Sequence, residues 1–243
     1  MNVINNIKIF DTHSHIIYGV DDGALNLKES IKMIDISYEQ GVRSIILTPH
    51  SSAFIYNGLK NIIKKYRIIK NNIKDKYNDL DLYLGSEIFC YKRNINNVLN
   101  ELNYNIIPSI NDTKYILVEF SNNFNINNEI LYCLNFLCKN GWYPILAHAE
   151  RYDVDNLTYH KIHNIAKIQI NLYSIYKEND LNIRERVNYL LENNLIDIIG
   201  SDAHRMNHRP PDIIDGATEL IKKCGVKKAN KILYENAKSI FCS

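Results

Sequence analysis

Seven short runs rich in β-branched and aromatic residues recur along the chain, at 7–13, 43–50, 82–87, 115–120, 143–148, 166–171 and 196–202. Between them the apolar spacing changes. In 57–77, Ile62, Ile63, Tyr66, Ile69, Ile73 and Tyr77 fall at three- and four-residue intervals, and in 183–195 Val187, Leu190, Leu191 and Leu195 do the same. That is the period of a helix with one buried face. Gly41 and Gly141 each stand after a helical run and before a strand, where a helix-ending glycine belongs. Strands separated by helices cannot pair as hairpins; their crossover connections make neighbouring strands parallel. The expectation is a single α/β domain over residues 1–243, most simply a barrel of seven parallel strands.

Composition narrows the function more by exclusion than by assignment. With 46% apolar and 23% charged residues, the chain is an ordinary globule, not a disordered, collagenous or coiled-coil one. A net charge of +2 argues neither for nucleic acid nor for a membrane surface. No apolar run approaches the ~20 residues that span a bilayer, and the N-terminus lacks a cationic segment followed by an apolar one. The five cysteines are scattered, with no Cys-x-x-Cys pair. This reads as a reducing, cytoplasmic setting without disulfides or a thiolate zinc site.

The polar residues fall where such a framework would gather them. Asp11-Thr12-His13-Ser14-His15 closes the first run, Thr48-Pro49-His50 the second and Gly85-Ser86-Glu87 the third. Glu119 ends the fourth, His148-Ala149-Glu150-Arg151 follows the fifth, and Ser201-Asp202-Ala203-His204 closes the seventh. In a parallel barrel all these ends open on one face. Residues i and i+2 of a strand share a side, so His13 and His15 can chelate one ion, and Asp202-x-His204 repeats the device. Nitrogen and oxygen ligands without thiolates suit Mn, Fe or Zn, and the share of carboxylates favours Mn. Of Asp21 and Asp22, register favours Asp22 as a ligand, the competing reading being that one of the pair caps the helix beginning near Leu25. Asp11 reads as a group that orients a ligand histidine.

Together, Asp11-Thr12-His13-Ser14-His15, Val20-Asp21-Asp22-Gly23, Gly85-Ser86-Glu87, Val118-Glu119-Phe120, Ala147-His148-Ala149-Glu150-Arg151-Tyr152 and Ser201-Asp202-Ala203-His204, followed by Arg209-Pro210-Pro211, resemble the PHP superfamily. Within it the motifs are most similar to the manganese-dependent bacterial protein-tyrosine phosphatases of CpsB/CapC type, encoded in capsule and exopolysaccharide operons. The resemblance runs through nearly the whole chain and implies a distorted seven-stranded β/α barrel. It implies two to three Mn ions, with Fe or Zn as alternatives. One would be held by His13, His15, Glu87 and Asp202, a second by Glu87, Glu119 and His148, and a third by Asp22, His50 and His204. Glu119 stands where other PHP enzymes usually carry histidine, a mark of the tyrosine-phosphatase branch.

The implied reaction is hydrolysis of phosphotyrosine, on a bacterial tyrosine kinase that controls polysaccharide synthesis, by a metal-bridging hydroxide that attacks phosphorus. Arg151 and Arg209 are the candidate guanidinium clamps on the phosphoryl oxygens, with His50 and Asp202 the further catalytic candidates. A cysteine nucleophile is excluded, because no cysteine has an arginine six positions on. The alternatives are a PHP phosphatase for a small molecule such as histidinol phosphate, and a metal-stabilised scaffold that binds the kinase. Glu119 and the compact length favour the protein phosphatase, and the complete ligand set argues against the scaffold. Homo-oligomerisation is left open by the sequence.

Overall fold

The computed structural model describes residues 7–121, 126–177 and 179–242. Among the described residues the strands are β1 Ile9–Ser14, β2 Val42–Leu47, β3 Asp81–Leu84, β4 Glu87–Phe89, β5 Tyr115–Glu119, β6 Tyr143–Leu146, β7 Lys167–Asn171 and β8 Ile198–Gly200. Their ladders are parallel, in a sheet ordered β1-β2-β3 and another ordered β4-β5-β6-β7-β8. The crossovers carry α1 Leu27–Glu39, α2 Ser51–Asn57, α3 Leu59–Ile73, α4 Ile95–Asn103, α5 Ile126–Lys139, α6 Asn156–His163, α7 Tyr173–Tyr176 and α8 Leu181–Glu192. The chain closes with α9 Ile214–Cys224, α10 Val226–Asn230 and α11 Asn236–Phe241.

Eight strands in two sheets, where seven strands in one barrel were expected, come from a change of partner inside the run 82–87. Its first half pairs with β2, and the Gly85 N–H still donates to the Leu47 carbonyl at 2.9 Å. The Ser86 hydroxyl then turns to the Pro108 carbonyl at 2.7 Å, and Glu87 pairs with Leu117 of β5. The two sheets meet at both seams through isolated bridges, Ser14 with Ala203 and His50 with Glu87. The helical run 57–77 is the single helix α3, Leu59–Ile73, which starts after Gly58 at φ 77°, and a separate short helix, α2, precedes that glycine. Gly41 and Gly141 take the positive φ expected of helix-ending glycines.

Most strand residues are buried on both faces, as in parallel sheets, with β3 the most open. Ile45, Ile88, Val118, Ile168, Ile170 and Ile199 face the helices in a large outer layer. Phe10, Ile46, Leu117, Ile145 and Ile198 form a small inner layer, closed from below by Ala237 and Phe241 of α11. Alternation then fixes what comes two and four residues later: Thr48 and His50 after Ile46, Glu119 after Leu117, Gly200 and Asp202 after Ile198. The inner column of the strands therefore turns from apolar to polar within one or two residue pairs.

Among the described residues no helix is long and apolar enough to cross a membrane. Cys90, Cys133, Cys138, Cys224 and Cys242 are all free.

Candidate metal centre

His13 and His15 reach the site through an irregularity in β1. The strand's register with β2 shifts between Ile9 and Phe10 and again between Asp11 and Ser14, so Phe10 and the two histidines share the interior despite their opposite parity. Gly200 makes room for this, since a Cβ there would stand 2.5 Å from the His13 Cβ and 2.8 Å from the Gln169 amide nitrogen. His148, out of step with Ile145, departs from alternation by another device, which Asp202, in step with Ile198, shares. Both take left-handed backbone, with φ 33° and 53°, a conformation that costs a non-glycine residue about 1–3 kcal/mol and persists where its surroundings enforce it.

Glu87 is the hub. Its Oε1 lies 3.2 Å from His13 Nε2 and 3.0 Å from His148 Nε2. Its Oε2 lies 3.2 Å from His15 Nε2 and 3.1 Å from His50 Nδ1. Glu119 sits 3.3 Å from His50 Nδ1 and 3.8 Å from His148 Nε2. Asp202 Oδ1 is 3.6, 3.7 and 3.5 Å from His13, His15 and His204, and Asp22 Oδ1 is 3.4 and 3.5 Å from His50 and His204. The structure thus brings all nine expected ligand residues together. Donor atoms of seven of them fall into three overlapping groups, His13–His15–Glu87, His50–Glu87–Glu119 and His15–Asp22–His50–His204, each within 4.8 Å, with His148 and Asp202 beside them. The grouping differs from the one implied by resemblance: His15 and His50 each belong to two groups, because each ring lies between two carboxylates.

Hydrogen bonds fix which imidazole nitrogens carry protons. The His148 backbone N–H donates to Gln169 Oε1 at 2.8 Å, so that oxygen is an acceptor, and His13 Nδ1, 3.4 Å away, is the donor. His15 Nδ1 donates to Asp21 Oδ2 at 2.9 Å, and His204 Nδ1 to the Asp202 carbonyl at 2.9 Å. In the neutral rings, then, each Nε2 presents a lone pair to the interior. The Nε2 atoms of His13 and His15 stand 3.2 Å apart beside the Glu87 carboxylate, an arrangement that suits a shared cation. The donor set therefore fits a metal cluster: imidazole nitrogen and carboxylate oxygen, with no thiolate.

The electrostatics agree. Burial opposes the charged form of His15, yet the Asp21 and Glu87 carboxylates outweigh it and lift its pKa to about 10. Burial likewise opposes a charged His50, and Glu119 with Glu87 lifts it to about 11. Glu87 is held well below the usual range despite its burial, by the imidazoles around it. His204 goes the other way, to about 4, because burial and the neighbouring His15 both disfavour its cation. The carboxylates draw positive charge onto the rings around them.

Several residues of the site carry no obvious sequence signal. Asp21, one of the two aspartates considered as a helix cap, instead holds His15 Nδ1 and accepts from the His50 backbone N–H at 3.1 Å. The cap of α1 is Asn26, whose side chain accepts from the Glu29 N–H at 3.0 Å. Arg205 Nε donates to the Asp22 and Gly23 carbonyls at 2.9 and 3.1 Å, and so ties down the Asp22 loop. Asn171 Nδ2 donates to Asp202 Oδ2 at 3.1 Å. Gln169 and Asn171 alternate at the end of the run 166–171 and were legible by the rule that revealed Glu119. Asp11 touches no histidine ring; it accepts from the His13 backbone N–H and from the N–H and hydroxyl of Ser201, and so binds the ends of β1 and β8 together. Arg151 and Arg209 both reach Asp202 Oδ2, at 2.9 and 2.6 Å.

A family model described as capsular polysaccharide synthesis, CpsB/CapC, matches residues 9–242. The chain is 32% identical over 242 residues to the tyrosine-protein phosphatase CpsB of Streptococcus agalactiae, covering 96% of this chain and 98% of that one. It is 31% identical to the tyrosine-protein phosphatase YwqE of Bacillus subtilis, over 94% and 90% of the two chains. A crystal structure from a study of YwqE and Streptococcus pneumoniae CpsB, described as unique metal-dependent tyrosine phosphatases, superposes with a TM-score of 0.80 at 28% identity, covering 96% of this chain and 94% of that one. Sequence, fold and the imidazole–carboxylate cluster agree, and this chain belongs to the CpsB/CapC family.

Proposed function

We propose that the protein is a metal-dependent tyrosine phosphatase that hydrolyses phosphotyrosine on a bacterial tyrosine kinase governing capsular or exopolysaccharide synthesis. The observation that carries the metal dependence is the convergence of His13 Nε2 and His15 Nε2, 3.2 Å apart, on the two oxygens of the Glu87 carboxylate. The substrate follows from the names borne by relatives over nearly the whole chain. In this reading residues 1–243 act as one unit in the cytoplasm, and the two sheets with their bridging seams make a distorted barrel.

His13, His15, Asp22, His50, Glu87, Glu119, His148, Asp202 and His204 hold two to three ions, with Mn2+ the best match to the carboxylate-rich set. When bound, such ions polarise phosphoryl oxygens and acidify water enough to supply a nucleophile near neutral pH. The protein's part is orientation and charge. Asp21, Gln169 and the Asp202 carbonyl set the tautomers of His15, His13 and His204, so each turns Nε2 inward. Asp202 anchors the guanidinium groups of Arg151 and Arg209 beside the ligands, and both remain 36–38% exposed toward an incoming phosphate. A planar guanidinium matches two phosphoryl oxygens at once. The departing phenolate, whose parent pKa is about 10, leaves with little help from an acid.

The test is substrate choice after metal exchange. Protein stripped with a chelator and reloaded with Mn2+ is assayed on a phosphotyrosine peptide, a phosphoserine peptide and histidinol phosphate. Hydrolysis of the first well above the other two, abolished by EDTA and untouched by thiol alkylation, is expected. A preference for histidinol phosphate, or activity that alkylation destroys, overturns the proposal.

A further inference from the structure

We infer that Phe89 is the wall against which the substrate's aromatic ring packs, so that the site selects the ring as well as the phosphate. The inference rests on the phosphatase reading above and concerns how that site tells an aryl from an alkyl ester.

Strand alternation places the residue. Along β4, Glu87 turns inward to the four imidazoles, whereas Ile88 lies in the outer apolar layer. Cys90 is again buried outward, with its thiol against Cys133 of α5. Phe89 therefore lies on the Glu87 side, displaced toward the mouth by two residues, about 6.6 Å of strand. Its register partner is Glu119 at the end of β5, and the next N–H, that of Cys90, donates to the Glu119 carbonyl at 2.9 Å. Phe89 thus stands one level above one carboxylate of the cluster and beside another.

At this height an apolar ring is conspicuous. Phe89 is 39% exposed, yet its backbone is fixed. Asn94 donates from Nδ2 to the Phe89 carbonyl and accepts the Tyr91 N–H, both at 2.9 Å. The Tyr91 ring backs it at 5.8 Å between centroids, tilted by 49°. Below this pair lie the imidazole, carboxylate and guanidinium groups of the cluster. Those recognise a phosphoryl group but are indifferent to what is esterified to it. In an aryl phosphate one oxygen joins phosphorus to the ring, so a phosphoryl group seated over Glu87 carries that ring a few ångströms outward, to the level of Phe89. A seryl or threonyl phosphate brings only an alkyl carbon there. Aromatic pairs contribute about 0.5–1.5 kcal/mol beyond the area they bury, roughly a three- to tenfold preference.

The experiment uses full-length, Mn-loaded protein and two non-hydrolysable probes, phenylphosphonate and methylphosphonate, as competitive inhibitors. In Phe89→Ala the inhibition constant for phenylphosphonate should rise roughly three- to tenfold while that for methylphosphonate moves less than about twofold. The KM for a phosphotyrosine peptide should rise more than kcat falls. Phe89→Tyr should restore the phenyl preference and Phe89→Leu should restore it only in part, with metal content equal throughout. If Phe89→Ala keeps the full phenyl preference, or loses affinity for both probes equally, the inference is overturned and the phosphatase reading stands. A wild-type protein that is fully loaded yet hydrolyses no phosphotyrosine overturns both.

Discussion

The strands that begin with isoleucine, leucine and phenylalanine end with histidine and carboxylate, and the two ends obey different physics. At the base, Phe10, Ile46, Leu117, Ile145 and Ile198 close on Phe241 with every large side chain buried. Each such residue stabilises the fold by about 1.5–3 kcal/mol and leaves no polar group without a partner. At the mouth, four imidazoles crowd one buried carboxylate, and three residues, His148, Asp202 and Arg209, hold left-handed backbone. Among the described residues His148 Nδ1 is buried with no hydrogen-bond partner. The mouth is strained and electrostatically incomplete without cations, and the base is where the stability that tolerates it resides. Damage to one end should therefore read out as lost chemistry, and damage to the other as lost stability.

The largest expected effect is at the hub. Glu87→Gln removes the charge that Nε2 of His13, His15 and His148 and Nδ1 of His50 converge on. Metal content should drop by at least one ion per chain and kcat/KM by about 10³ or more, on the order of 4 kcal/mol. The fold should survive, because the base is untouched. Elemental analysis beside circular dichroism checks both halves; full metal occupancy in this variant would refute the assignment of Glu87.

At the other end, Phe241→Ala should cost about 3 kcal/mol or more, near 10 °C in Tm for a chain of this size. Its turnover per folded molecule should match wild type. A loss of activity at temperatures where the variant is still folded would show that the two ends are coupled.

Arg151→Ala probes the border of the metal cluster. The loss expected is about 10² in kcat/KM, or 2.7 kcal/mol, the scale of one electrostatic contact in a transition state. Metal content should stay the same, since Asp202 keeps Arg209 and Asn171. Turnover within twofold of wild type would remove Arg151 from the reaction.

The smallest effect concerns pH and the metal-free protein. The His15 pKa rises on folding from 6.5 to about 10, since Asp21 and Glu87 favour its cation more than burial disfavours it. A raised folded-state pKa contributes stability that is complete below 6.5 and is lost as pH climbs toward 10. Metal-free protein should therefore lose at least about 1 kcal/mol, roughly 2–4 °C in Tm, across that window. Asp21→Asn should flatten the slope, and loaded protein should show little of it. Equal slopes in the metal-free and loaded forms would contradict the view that cation and protons compete for one charge deficit.

Much of this is legible in the sequence. The alternation of strand and helix required parallel pairing, and parallel pairing gathers the polar residues at the strand ends, Glu119 and His50 among them, on one face. The same rule applied to Gln169 and Asn171 would have found the residues that set His13 and hold Asp202. It failed to flag them because amides carry no metal-ligand signature.

What only the tertiary structure decided lies where local periodicity breaks. The irregular register of β1 and the left-handed backbone at His148 place His13, His15 and His148 where alternation alone would not. The switch of partner at Gly85 and Ser86 makes two strands from one run, because pairing is chosen by neighbours distant in sequence. Asp21 orients a ligand where a helix cap was the competing reading, and His15 and His50 each serve two carboxylates. Residue type and spacing determined which side chains could bind metal. Which atoms face one another, and with what charge, is a property of contacts between loops far apart in the chain, and no local pattern encodes it.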